Sequence, residues 1–250
     1  MTVSVKPILV IKIGTNALLG KHEMPRMAFD AVASAIASLV THYRVVLVTS
    51  GAIGFGVRAL NLHSRPTEIS QLQALAMIGQ TGLLRQWSEA FDGTPIGQVL
   101  VTRHDLVAQD ASQTLKHSIE AVWSYGAIPI VNENDAVSYD EISFGDNDQL
   151  AAEIAAVIHA SQLILLTDQN GIQADFGTEH QQRIDVVNVN EMERHITPTR
   201  SVLGKGGFMS KVVAASRALG ADVDVYIGQV DAAHSIGDIL SGKSGTRIVQ

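Results

Sequence analysis

The chain has 250 residues, 46% of them hydrophobic and 17% charged, with no cysteine and a formal net charge of −7. That composition suits a globular α/β protein able to bury a sizeable core, and it argues against disorder, disulfide scaffolds and thiolate zinc sites. The acidic balance excludes a general nucleic-acid partner, which needs a basic face, while leaving room for a local basic site.

In chain order, strand-like runs rich in β-branched residues fall at Ile8–Ile13, Val45–Thr49, Ile96–Leu100, Ile128–Val131, Leu163–Thr167 and Val223–Ile227. Between them, apolar residues at helical spacing predict helices over Met27–Thr41, Ile69–Phe91, Ser112–Tyr125, Asp148–Ile158 and Lys211–Leu219. Alternation of apolar strands with helices predicts a three-layer α/β/α sandwich around a mainly parallel sheet. No apolar run approaches the roughly 20 residues of a membrane helix, and the N-terminus lacks a secretory pattern. The expectation is a cytoplasmic protein without a membrane partner.

In such a sheet, ligands gather where strands end and helices begin. Those loops are rich here: Gly14-Thr15 after the first strand, Ser50-Gly51-x-x-Gly54-x-Gly56 after the second, Asn132–Asp135 after the fourth and Asp168–Gly171 after the fifth. Glycines recurring at strand ends point to a phosphate or carboxylate site, because backbone N–H groups there approach an anion closely. Packing explains any single such glycine equally well. Neither the Walker A spacing nor the dinucleotide fingerprint is present.

Three further features carry charge. Lys12 interrupts the apolar strand Ile8–Ile13, and a buried lysine is costly unless an anion neutralises it. Gly204-Lys205-Gly206-Gly207-Phe208-Met209-Ser210-Lys211 opens a helical segment, and a flexible glycine loop with two lysines forms a plausible polyphosphate clamp, or a solvated surface loop. The segment Phe144-Gly145-Asp146-Asn147-Asp148, close after Asn132-Glu133-Asn134-Asp135, reads as a solvated turn, a metal cage or a site for a small polar substrate. The histidines show no metal spacing, and His104 and His117 are expected at the surface. Trp87 and Trp123 are expected as core or interface anchors, and Glu179–Arg183 as a solvated loop.

The succession Ile11-Lys12-Ile13-Gly14-Thr15, Val48–Ala52, Gln71–Gln80, Gln98–Leu106, Ile130–Asp135, Phe144–Leu150 and Leu165–Asp168 resembles the glutamate 5-kinases of the amino-acid kinase superfamily, in the family's order and over nearly the whole chain. The resemblance implies transfer of a phosphoryl group from ATP, with Mg²⁺, to the γ-carboxylate of L-glutamate, giving L-glutamyl 5-phosphate for proline synthesis. By matching position it implies that Lys12 and Lys211 neutralise charge on the transferring group and that Asp148 holds the two lysines. Ser50, Gly51, Asn134, Asp135, Asp146 and Asn147 would hold glutamate. Gly14, Thr167, Asp168 and the run Lys205, Gly206, Gly207, Phe208, Met209, Ser210 and Lys211 would line the ATP site. Mg²⁺ would be held mainly by ATP oxygens, with no protein metal site.

The resemblance also implies one kinase domain over 1–250, with a glutamate lobe to about residue 165 and a nucleotide lobe beyond it. It implies a short form without the C-terminal PUA domain, a homodimer or homotetramer using the Ile69–Phe91 helix, and proline as a feedback inhibitor at or near the glutamate site. Two departures stand out. Lys205 and Phe208 replace a threonine and a methionine of the family's glycine loop, and Asn170–Phe176 lacks the aromatic and proline of its nucleotide motif. Acetylglutamate, aspartate or uridylate kinases, and a non-catalytic amino-acid-binding regulatory module, are the competing readings.

Overall fold

Ile8–Ile13 forms strand β1, buried along its whole length. The structure, a computed structural model, describes residues 6–19, 26–138, 147–195, 202–231 and 234–250, with backbone only for 202–206. After β1 come α1 (Thr15–Leu19), α2 (Arg26–Ala37), β2 (Arg44–Val48), α3 (Ala52–Ala59), α4 (Ile69–Ala90), β3 (Ile96–Val101), α5 (Arg103–Val107), α6 (Gln109–Ser124) and β4 (Ile128–Glu133). The second part holds α7 (Asn147–Val157), β5 (Gln162–Leu166), β6 (Gln173–Ala174), β7 (Gln182–Arg183), β8 (Val186–Asn188), a 3₁₀ turn (Val189–His195), α8 (Val202–Leu219), β9 (Asp224–Gly228), α9 (Ile236–Leu240) and β10 (Thr246–Val249).

Eight strands form one sheet in the order β3-β4-β2-β1-β5-β9-β10-β8, parallel throughout except where β10 meets β9. The expected three-layer sandwich is observed. Period-2 alternation divides the strand side chains: Val10, Val46, Val48, Leu163, Leu165 and Val225 share a core with α6, α7 and α8. Leu9, Ile11, Leu47, Ile164 and Leu166 share the opposite core with α2, α4 and α9. Lys12 follows Val10 in this alternation and so faces the α7 layer.

The strand–helix rhythm matches the sequence expectation to within a residue or two for the six longer strands. The short β8 and β10 were not anticipated, being three and four residues long. The glycines of Gly51–Gly56 suggest a turn, but residues Ala52–Ala59 form helix α3. Only Gly51, with φ 111°, stands at the strand end as a turn residue. Gly54 and Gly56 lie inside α3, where a side chain on Gly56 would overlap the Leu75 backbone in α4 and one on Gly79 would overlap the Ala52 carbonyl. Gly56 and Gly79 serve a close helix crossing, while Gly54 packs against the Leu19 side chain. Arg183, assigned to a solvated loop, instead pairs β7 with β6, donates to the Gly245 carbonyl at 2.5 Å and bridges to Asp185 at 2.7 Å.

Because no space exists for a β-carbon at the α3–α4 crossing, Gly79→Ala is expected to lower stability by about 1–3 kcal/mol. Urea unfolding of the two proteins checks this, and an unchanged midpoint would contradict the crossing.

Candidate functional site

Strand register places the candidate residues around the carboxyl end of β1. Lys12 lies beside Val48 of β2 on one side and Leu165 of β5 on the other. Ser50 and Gly51 therefore flank it just past β2, and Thr167 and Asp168 just past β5. The carboxyl ends of β2 and β4 make one half of the site and those of β5 and β9 the other.

Between the halves lies a buried charge cluster. Lys12 Nζ sits 2.5 Å from Asp148 Oδ1, and Lys211 Nζ sits 2.8 Å from Asp148 Oδ2. Their side chains are 6%, 2% and 16% exposed for Lys12, Asp148 and Lys211. Ser210 Oγ donates to the same Oδ2 at 3.3 Å. Burial alone would push the Asp148 carboxyl up; the ammonium groups of Lys12 and then Lys211 outweigh it and hold it down at about 2. The carboxylate is thus ionised at neutral pH, and the three side chains carry one more positive charge than negative. Gly14 closes the turn over this cluster, where a β-carbon would lie 3.3 Å from Lys12 Nζ.

On the β2/β4 side the strand ends are tied by carboxamides. Asn147 Nδ2 donates to the Thr49 carbonyl at 2.6 Å and to Asn132 Oδ1 at 2.8 Å, and Asn132 Nδ2 donates to Gln80 Oε1 at 2.9 Å. Both Asn147 N–H groups are committed, so any ligand contact from this side chain is made through its acceptor oxygen. Trp87, fully buried, donates from Nε1 to Thr49 Oγ1 at 2.9 Å and anchors the end of β2, as its assignment to the core anticipated. Ser50 is buried beside it. Asn134 and Asp135 lie half-buried in the turn after β4, where the Asn134 N–H donates to the Val101 carbonyl at 2.9 Å. Asp146 lies outside the described residues.

On the β5/β9 side, the Thr167 N–H donates to the Gly228 carbonyl at 2.8 Å and its hydroxyl to Asp168 Oδ1 at 3.0 Å. The following Asn170-Gly171 turn is locked to the chain end: the Gly245 N–H donates to Asn170 Oδ1 at 2.6 Å, and Thr246 Oγ1 accepts from the Ile172 N–H at 2.8 Å. Gly171, at φ 80°, packs directly on Thr246, so neither its conformation nor its space admits a side chain.

The expected flexible glycine loop is a correction. Helix α8 begins at Val202, so Gly204, Lys205, Gly206 and Gly207 are helical backbone. Glycine costs a helix about 1 kcal/mol each relative to alanine, which biased the sequence reading toward a loop. Packing outweighs that bias, since Phe208 is buried in the α7–α8 core and Ser210 and Lys211 are fixed on Asp148. Phe208 therefore faces the core. Gly207 is exposed and Met209 half-buried, and of Lys205 only the backbone is described.

The structure thus brings together Lys12, Asp148, Lys211, Gly14 and Ser210, with Asn147 and Ser50 on one flank and Thr167 and Asp168 on the other. Sequence reasoning gave no role to Gln80 or Thr49, whose contributions depend on partners far away in the chain. Among the described residues no group of three or more His, Asp or Glu side chains is arranged to hold a metal ion. His104 and His117 are exposed.

The amino acid kinase family profile matches residues 7–229. Glutamate 5-kinase of Thermus thermophilus is 39% identical over 212 residues, covering 83% of this chain and 57% of that protein. The glutamate 5-kinases of Rippkaea orientalis and Geobacillus kaustophilus are 36% and 37% identical, each over 96% of this chain and 68% and 67% of theirs. The chain therefore spans between just over half and about two thirds of the length of these relatives. Among solved structures, carbamate kinase from Giardia lamblia bound to AMP-PNP superposes with a TM-score of 0.69 at 16% identity over 98% of both chains. UMP kinase from Ureaplasma parvum follows at 0.64 and 14%, over 98% of this chain and all of that one. At such identities the superpositions speak for the fold. The chain belongs to the amino acid kinase family, and its sequence similarity within that family lies with the glutamate 5-kinases.

Proposed function

We propose that the chain transfers the γ-phosphoryl group of ATP to the γ-carboxylate of L-glutamate, giving L-glutamyl 5-phosphate, the reaction that opens proline biosynthesis. The observation that carries this reading is the buried pair of lysines on one carboxylate, set between two halves of a strand-end site. A γ-carboxylate is ionised at neutral pH and attacks phosphorus without losing a proton, so the reaction asks for positioning and charge stabilisation only. Lys12 and Lys211 would sit against the oxygens of the transferring group, where negative charge spreads in the transition state. Asp148 holds both ammonium groups and, being ionised, keeps them from repelling one another.

Glutamate would occupy the β2/β4 half. Asp135 and the acceptor oxygen of Asn147 suit its α-ammonium group; Ser50, the Gly51 backbone and Asn134 suit its carboxylates, with Asp146 in the same segment. ATP would occupy the other half, against Gly14, Thr167, Asp168 and the first turns of α8 from Lys205 to Lys211. On this reading residues to about 165 form the glutamate lobe and the rest the nucleotide lobe. Mg²⁺ would arrive on the triphosphate, whose charge it screens, since this ion retains waters and uses few protein ligands. Asp168, exposed at the end of β5, would meet it there.

We further propose a cytoplasmic homo-oligomer. Helix α4 exposes Met77 and Ile78, at 56% and 44%, and the neighbouring edge strand β3 exposes Leu100, at 40%. Proline would compete at the glutamate half. No helix of the described residues is long and apolar enough to cross a membrane.

The hydroxamate assay with glutamate, ATP and Mg²⁺, with and without proline, tests the reading. Trapped glutamyl phosphate is expected, and turnover of acetylglutamate, aspartate or UMP in place of glutamate would overturn it. Lys12→Ala and Lys211→Ala should each lower kcat by on the order of 10²–10³. Each leaves Asp148 one lysine, so thermal unfolding should shift little; near-wild-type turnover would remove the proposed roles.

The lowered Asp148 pKa sets a pH window for stability. The ionised, paired carboxylate stabilises the fold above its unfolded value of 3.8, and that contribution is lost as pH falls toward about 2. The stability gap between the wild type and Asp148→Asn, followed by denaturant titration, should therefore narrow across this window. A gap that stayed constant would show that Asp148 is not held ionised by its lysines.

A further inference from the structure

Five residues beyond Asp148, helix α7 buries a second carboxylate, Glu153, whose side chain is 2% exposed. Its Oε1 lies 3.2 Å from Arg103 Nη2 at the start of α5 and 3.3 Å from Arg217 Nη1 on α8. Both arginine side chains are 46% exposed, so one buried anion is held by two cations that reach in from solvent. Nothing in the transfer reaction calls for this group.

Its placement along the helices gives it a purpose. Asp148 meets Lys211, and Glu153 meets Arg217 further along both helices. The two pairs form successive rungs between helices running in the same direction, five residues apart on α7 and six on α8, or about 7.5 and 9 Å at 1.5 Å per residue. Most of the buried residues that α7 and α8 contribute to this layer are alanines, namely Ala151, Ala152, Ala155, Ala214, Ala215 and Ala218, with Leu150, Ile154 and Phe208 as the larger side chains among them. Such surfaces pack closely but carry few protruding ridges, and it is ridges in grooves that resist axial sliding. A slip of one residue displaces Lys211 by about 1.5 Å, and misplacement by about 1 Å costs transfer reactions on the order of 10²-fold.

We propose that Glu153 is a positioning residue that, with Arg217, fixes the register of α8 on α7 and thereby the height of Lys211 at Asp148. The inference rests on the phosphoryl-transfer reading of the Lys12–Asp148–Lys211 cluster. A buried ion pair is weak evidence of net stabilisation, because desolvation offsets the attraction; registry is its better-supported use. Arg103 keeps the carboxylate neutralised and ties it to α5, whose start is fixed by reciprocal hydrogen bonds between Thr102 and Asp105.

The test compares the wild type with Glu153→Gln, Arg217→Gln, Arg217→Lys and the double variant Glu153→Gln/Arg217→Gln, all as the full chain. With glutamate and ATP, either glutamine variant is expected to lower kcat by on the order of 10- to 100-fold while KM for glutamate stays within about twofold. Arg217→Lys should recover most of the loss, and the double variant should be no slower than the worse single one, since both remove the same rung. A folded Arg217→Gln with wild-type kcat, or losses that multiply in the double variant, would overturn the proposal. Arg217 is half exposed, so its variant carries the test if Glu153→Gln does not fold. The wild-type arm separates the two readings: if it phosphorylates nothing, the functional assignment fails. Amide hydrogen exchange over residues 207–215 then decides the register, with faster exchange in the variants expected and unchanged exchange overturning it.

Discussion

Two ammonium groups and a carboxylate lie buried between strand β1 and helices α7 and α8, and each is met by a partner of opposite charge. Lys12 reaches the α7 layer because it occupies the same face of β1 as Val10, and β1 is flanked by β2 and β5 so that the lysine is shielded from water on both sides. Left alone, that ammonium would be strongly destabilising; with Asp148 as partner it is retained, and with Lys211 added the cluster carries excess positive charge. A cluster built this way favours an anion that arrives from outside. The glycine at position 14 and the turn at Gly51 leave the approach clear.

How much of this was legible in the sequence differs by element. The six long strands and the main helices were readable because buried parallel strands are continuous apolar runs, and β1, β2, β4 and β5 are such runs. The short strands were not: β8 and β10 span too few residues to show alternation, and β10 gains its place by pairing antiparallel with β9 and parallel with β8. Glycine misled twice. In α3 and at the start of α8, local propensity argued for loops, while a close approach to α4 and the anchoring of Phe208, Ser210 and Lys211 made helix the outcome.

The site was legible unevenly for a different reason. Lys12 announces itself, since a lone charge in an apolar strand has few structural explanations. Phe144–Leu150 did not announce its role: spacing left a turn, a metal cage and a substrate site open, and only the family resemblance connected Asp148 with lysines 136 positions before and 63 after it. Glu153 carries the same kind of signal as Lys12, a single acid within Leu150–Ile158, yet its partners Arg103 and Arg217 lie on separate helices. A lone charge in an apolar run indicates that a partner exists; the fold is needed to say which.

The first two residues of α7 join the halves of the site. Asn147 is fastened to β2 and β4 through Thr49 and Asn132, and Asp148, next in the chain, is fastened to β1 and α8 through its two lysines. Consecutive residues at the head of one helix cannot move independently by more than the backbone allows. Any displacement of α7 therefore carries the carboxamide and the carboxylate together, and on the proposed phosphoryl-transfer reading this would keep the acceptor half and the phosphate half at a fixed separation. In-line transfer depends on that separation more than on the absolute position of either ligand. A second carboxylate that holds α8 in register with α7 extends the same constraint to Lys211, the one member of the cluster that arrives from the opposite half.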